Sequence, residues 1–392
     1  MLDHSPLLPL IIDYDEDEGD ITAEDEEGII LSLGQRDRVS RIRLRLPVQT
    51  LQKLIVAINE EYSILEYLML ASPGQGDAVL ILPETLRAPH LRHLLLGGFS
   101  LPIGSQLLTT AVGLVTICLI IVHSSTYFHP NTLLRWISFM PQLEVLVVVF
   151  SFPILNRDVE RQLMRTPITT HVTLPNLLTL VFRGASAYME AVVQQITPPR
   201  LEKLEIAFPN QLTFSVPCLL QFMNTTENLK FSHAEFLFSD KRVDVEVYPH
   251  DEAKTFTLSI VVDCWHLDRQ VSSAAQIFNA LSQRFSAVEH LTFKHRVQSR
   301  SSEEHNEVDR TEWRKLLGSF KNVKTLRIPD GLVGEFSRCL RMGDGEPPLK
   351  LLPELQELTF SGRGAVDDAF TQFVDARENA GRTITLNRRW TP

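Results

Sequence analysis

One spacing recurs from end to end of this chain: apolar residues at the first, fourth and sixth positions of a short stretch, LxxLxL. Its clearest copy is Pro141–Phe150, PQLEVLVVVF, where the three positions are Leu143, Leu146 and Val148. Earlier copies are Val39, Ile42, Leu44; Leu65, Leu68, Leu70; Leu91, Leu94, Leu96; and Leu114, Ile117, Leu119. Later ones are Leu177, Leu180, Phe182; Leu201, Leu204, Ile206; Val288, Leu291, Phe293; Val323, Leu326, Ile328; and Leu355, Leu358, Phe360. Between Leu65 and Leu201 the leading residues stand 23 to 34 apart. A self-similar period of this length means that no single copy buries its own apolar face, so neighbouring copies must stack.

Pro89, Pro141, Pro175 and Pro199 stand just before four of these strands and block helix continuation there. Segments such as NTLLRWISFM and AYMEAVVQQI carry helical rhythm between strands, and parallel strands need such crossovers. The expected fold is therefore α/β: a leucine-rich-repeat solenoid, curved as a horseshoe, with parallel strands on the concave face and helices on the convex face. We expect one domain over residues 1–392. Residues 1–60 hold N-terminal repeats with an acidic loop at 13–27, residues 61–230 regular repeats, and residues 263–392 C-terminal repeats. The stretch 231–262 breaks the rhythm. FSHAEFLF, RVDVEVY and FTLSIVV alternate with period two and have short connections, so a β meander or a distorted repeat is expected there.

Finer elements are also predicted. Leu7, Leu10 and Ile12 read as the first strand. Thr22 and Asp25 form a capping-box pattern for a helix ending near Gly34. Further helices are expected at Ser273–Phe285 and Glu312–Ser319, and in DDAFTQFVDARENAG up to Gly381, with an edge strand at Thr383–Leu386. Val297–Asp309 lacks apolar periodicity and reads as an exposed loop. Ser301 and Ser302 there precede Glu303 and Glu304, the pattern of an acid-directed kinase site, but the expectation is an unmodified solvated loop.

Net charge is −10, which excludes a general nucleic-acid binder, because phosphate neutralisation needs clustered Lys and Arg. The four cysteines lie far apart without a CxxC pair, which fits a reducing compartment, cytoplasm or nucleus. The N-terminus lacks a basic n-region, so no secretory signal is expected. Leu107–Val122 is the most membrane-like run, but it is short and lacks flanking anchors, so it reads as a helix end and a repeat strand.

No catalytic, cofactor or metal motif stands out, so no enzyme activity is expected. Cys264 and His266, two apart beside Asp263, could share a strand face and supply a thiol–imidazole pair, the alternative enzymatic reading. His90 with His93, and His290 with His295, lack further ligands at metal spacing. The concave face is more informative. Residues between the buried positions point outward, giving a central column Ile11, Arg43, Met69, Leu95, Cys118, Val147, Val181, Glu205, Thr292, Arg327 and Thr359. A flanking column holds Tyr67, His93, Val145, Thr179, Lys203, His290, Thr325 and Glu357. The face is thus apolar from about Met69 to Val181, and Tyr67, Met69, Leu95, Val145, Val147, Val149 and Val181 are the expected contacts for a protein partner.

HSPLLPLIIDYD, RVSRIRLRLP, ILEYLML, APHLRHLLLGG and DRTEWRKLLGSFKNVKTLRI resemble the F-box-type leucine-rich-repeat proteins of mushroom-forming fungi. The resemblance covers nearly the whole chain. It implies a substrate-recognition part of a cullin-based ubiquitin ligase, in which an F-box docks on an adaptor and the repeats receive a substrate. LPVQTLQKLI opens with Leu-Pro as an F-box does, but it lies between two repeat strands and reads as their connecting helix. With no F-box recognised, adaptor docking is not expected. A structural or vestigial repeat protein from a truncated gene is the other reading.

Overall fold

A computed structural model describes residues 8–15, 21–72, 79–226, 228–250, 256–296, 309–341, 343, 345–361 and 368–389. The Leu7 position and the Ser301/Ser302 loop lie outside the described residues. The fold is mixed α/β with mostly parallel strands, not closed into a barrel. The chain divides into two compact units: Met1–Gly184 with Ala191–Leu201, and Ala185–Glu190 with Glu202–Pro392.

In unit 1 the order is β1 (Leu10–Asp15), α1 (Ala23–Leu33), β2 (Val39–Arg45), α2 (Val48–Ala57), β3 (Tyr67–Ala71), β4 (Leu80–Ile81), β5 (His93–Gly97) and β6 (Phe99–Ser100). Then come α3 (Gln106–Thr110), β7 (Thr116–Ile121), α4 (Pro130–Ile137), β8 (Val145–Phe150), α5 (Asn156–Arg165), β9 (Val172–Thr173) and β10 (Thr179–Arg183). Helix α6 (Ser186–Val193) is shared between the units, and β11 (Ile196–Thr197) pairs with β9. The main strands lie in the order β1-β2-β3-β5-β7-β8-β10, and every pair is parallel.

The alternating pattern sets the core. Ile12, Ile42, Leu68, Leu94, Ile117, Leu146 and Leu180 sit side by side across the seven strands, each at most 6% exposed. Strand entry is equally regular. The N–H of Leu91, Leu143, Leu177 and Leu201 closes a turn onto the carbonyl three residues back, at Ala88, Met140, Leu174 and Pro198. Pro89, Pro141, Pro175 and Pro199 occupy the second position of these turns, where a fixed φ is favourable. The prolines thus shape the strand entry as well as stopping a helix. From Leu91 to Leu177 each repeat then hangs its next two N–H groups on one carbonyl of its neighbour. Glu66 O accepts from Arg92 N (2.9 Å) and His93 N (3.0 Å), and Glu144 O from Leu178 N (2.8 Å) and Thr179 N (3.0 Å).

The start of the chain differs from expectation by two residues. Ile12 pairs with Ile42, so Ile11 stands beside Arg41 and Asp13 beside Arg43, with an irregularity at Leu10/Ile11. Asp13 and Asp15 extend the strand instead of opening the acidic loop. The cause is ionic: Arg43 Nη1 lies 3.3 Å from Asp13, and Arg43 Nη2 lies 2.9 Å from Asp15. Thr22 and Asp25 do form the capping box of α1, each side chain meeting the other's backbone N–H.

Unit 2 runs β12 (Lys203–Pro209), α7 (Pro217–Thr225), β13 (His233–Ser239), β14 (Arg242–Tyr248), β15 (Leu258–Asp263), α8 (Leu267–Ala280) and α9 (Ser282–Phe285). It continues with β16 (His290–Arg296), α10 (Arg310–Gly318), β17 (Thr325–Ile328), α11 (Val333–Leu340), β18 (Glu357–Ser361), α12 (Asp368–Asn379) and β19 (Thr385–Arg389). The expected meander is present as β13, β14 and β15, and only β14 runs antiparallel to its neighbours. It is inserted in reverse: the order is β12-β15-β14-β13-β16-β17-β18-β19. The chain must therefore return across three strand spacings, about 14 Å, between β15 and β16. Helix α8 carries it, spanning 14 residues or about 21 Å. The helix begins at Leu267, before the expected Ser273.

Helix α7 lacks a side-chain cap of its own at Val216. Glu190 supplies one from α6, accepting the N–H of Cys218 (2.7 Å) and Leu219 (2.8 Å). Burial raises the Glu190 pKa above its usual value, with the two N–H bonds opposing. A raised folded-state pKa gives stability that is full below the unfolded value and lost as pH rises through the folded one. Unit 2 is thus expected to lose stability as pH climbs above the ordinary Glu range. Glu190→Gln should flatten that slope, and Glu190→Ala should cost about 1–2 kcal/mol. Urea unfolding at several pH values checks both, and a slope unchanged in Glu190→Gln would disprove the assignment.

Candidate binding face

In unit 1 the residues between the buried positions form three rows across the open face of the sheet. The first is Ile11, Arg41, Tyr67, His93, Thr116, Val145 and Thr179. The middle row is Asp13, Arg43, Met69, Leu95, Cys118, Val147 and Val181. The third is Asp15, Arg45, Ala71, Gly97, Ile120, Val149 and Arg183. Tyr67, Met69, Leu95, Val145, Val147, Val149 and Val181 therefore share one face, and each is half-buried. Their sequence neighbours Leu68, Leu94, Leu146, Val148 and Leu180 are at most 3% exposed. A register slip by one residue would have exchanged the two sets.

The centre of the face is apolar. Cys118 lies between Leu95 and Val147, and burial raises its thiol pKa, so it stays neutral. Ile120, 38% exposed, joins Val149 on the third row. Ala71 and Gly97 on that row are small and stand beside each other. A Cβ on Gly97 would stand 3.2 Å from that of Ala71.

The β2 border is charged. Arg43 and Arg45 are held by Asp13 and Asp15. Arg41 is different: its guanidinium carbon lies 4.3 Å from the centre of the Tyr67 ring, and its buried Nε has no hydrogen-bond partner. The Tyr67 hydroxyl donates to Met69 Sδ at 3.8 Å. Its ring meets His93 at 6.0 Å, and His93 Nδ1 is 3.2 Å from Thr116 Oγ1. Arg41, Ile120 and the small pair Ala71 and Gly97 were missing from the expected site. RIRLR contains the signal, since Arg41 and Arg43 have the same parity and must share a face.

The equivalent rows in unit 2 are more polar, although one of them mixes Ala207, Val261 and Leu237 with Asp244 and Lys294. Another runs Glu205, Ser259, Glu246, Glu235, Thr292, Arg327, Thr359 and Asn387. Lys203 pairs with Glu205 and Lys294 with Glu235, both at 2.6 Å. His290 stacks on His233 at 4.1 Å and lies 2.7 Å from Thr325 Oγ1.

Cys264 and His266 do not share a face. Strand β15 ends at Asp263, so alternation stops before them; Cys264 is 4% exposed and His266 is exposed. Burial pushes the Cys264 thiol up to about 11, opposite to the shift a nucleophile needs. His90 is exposed at the strand-entry edge, away from the row that holds His93. Among the described residues no group of three His, Cys, Asp or Glu could hold a metal ion, and no helix is long and apolar enough to cross a membrane. No family model and no curated protein matches the chain.

Proposed function

We propose that the chain is a leucine-rich-repeat scaffold that binds a protein partner on the open face of unit 1, as the substrate-recognition part of an F-box protein does. The observation that supports this reading is the middle row from Met69 to Val181, with Val145, Val149 and Ile120 beside it. A sheet with one buried face ordinarily presents polar residues on the other. A contiguous apolar surface is a contact site in waiting. Repeated strand entry and cross-strand carbonyl sharing support the repeat reading. The role is non-catalytic, and four free cysteines favour the cytoplasm or nucleus. The partner is a protein substrate, with adaptor docking no part of the proposal.

Val147→Asp is the direct test. The side chain stands at the middle of the face, so a carboxylate there should weaken partner binding about a hundredfold. The melting temperature should stay within a few degrees, because the residue is not in the core. Affinity is read against partners recovered with the unaltered chain. Partners that bind Val147→Asp as tightly as the original would defeat the proposal.

A further inference from the structure

Given a binding role for this face, we infer that its occupant is an amphipathic helix carrying a carboxylate, which pairs with Arg41. Two physical arguments choose a helix over an extended segment. Every main-sheet strand between β2 and β10 is already paired on both sides within unit 1, apart from β10 itself. An extended peptide lying across these strands would leave its own N–H and C=O groups over apolar side chains, whereas a helix satisfies them internally. Spacing agrees. Neighbouring strands lie about 4.8 Å apart, close to the 5.4 Å of a helical turn. Side chains three and four apart can therefore follow Met69, Leu95, Cys118, Val147 and Val181 in turn. An extended peptide, with same-side residues about 6.6 Å apart, falls out of step after one strand. Four strand spacings are about 19 Å, or about 13 helical residues, and reaching Arg41 on β2 takes about 16.

Arg41 gives the occupant its charge. The guanidinium is stacked on Tyr67 and has no acidic partner among the described residues, while Arg43 and Arg45 on the same strand are neutralised by Asp13 and Asp15. Stacking on an aromatic face leaves the two terminal nitrogens of the arginine available, in the end-on fork that a carboxylate meets with two hydrogen bonds, while the buried Nε takes no part. Tyr67 holds that fork at the border of the apolar rows. A partner helix with Asp or Glu at one end therefore gains an ion pair where its apolar stripe stops.

The test is selection of a phage-displayed library of random 16-residue segments, held in a helical scaffold, against the full chain. The expected winners have apolar residues three and four apart and an acid at one end. Their affinity should fall at least tenfold with Arg41→Gln and with Arg41→Lys, which keeps charge but loses the fork. Changing the peptide acid to its amide should give the same loss, with no further loss on Arg41→Gln. Unchanged melting temperatures show that both variants are folded. Winners that depend on Val147 but lack an acid and ignore Arg41→Gln would overturn the inference while leaving the binding face intact. Winners rich in helix-breaking proline would overturn the helix. If no selected peptide is sensitive to Val147→Asp, the binding role itself fails.

Discussion

Leu146→Asp is expected to leave unit 1 unfolded at room temperature, although the neighbouring Val147→Asp folds normally. Leu146 is 0% exposed and lies between Ile117 and Leu180 on the core side of β8. Removing a buried leucine costs about 2–5 kcal/mol. An unpaired carboxylate among aliphatic side chains adds several more. Together these approach the whole stability of an ordinary domain, about 5–15 kcal/mol. Val147 points to the open face, where aspartate costs at most about 1 kcal/mol through its poor strand propensity. Circular dichroism with urea unfolding compares the two. A Leu146→Asp variant with an unaltered midpoint would show that the register of β8 is wrong.

That contrast is also what made the fold readable. Position-by-position alternation in LxxLxL separates core from surface without knowledge of any partner strand, so the strands from Val39 to Ile206 stand where the spacing puts them. Reading failed where a strand's identity depends on its neighbours. Asp13 and Asp15 resemble loop residues until Arg43 and Arg45 are placed beside them. The reversed order β15-β14-β13 rests on long-range pairing that no local pattern encodes. Helix α5 was not predicted because it is mostly charged and polar: Val159, Leu163 and Met164 are its only apolar residues, and only Val159 is buried. The apolar half of the open face was legible, since valines at both parities of VLVVVF break the usual alternation. Its charged border was legible only as a placement: parity puts Arg41 and Arg43 on one face, but Arg41 becomes distinctive only when Arg43 and Arg45 are seen to be neutralised.

Unit 2 depends on a different device, and Trp313→Ala is expected to destabilise it by about 3–5 kcal/mol. The reversed meander brings Phe236 and Phe238 of β13 against helices that leave from distant points of the chain. Trp313 on α10 closes this cluster: its ring meets Phe238 at 5.6 Å, Phe293 at 5.8 Å and Phe336 at 4.8 Å. The residue is 0% exposed, so alanine leaves a cavity that four elements border and cannot easily fill. The indole Nε1 is buried without a hydrogen-bond partner. Trp313→Phe removes that unsatisfied donor while keeping most of the aromatic packing, so it should cost no more than about 1 kcal/mol. The pair of substitutions separates volume from polarity, because only alanine opens the cavity. Equilibrium unfolding of both variants decides the matter. Equal losses for phenylalanine and alanine would mean that the indole nitrogen, and not the ring's bulk, holds β13 in place.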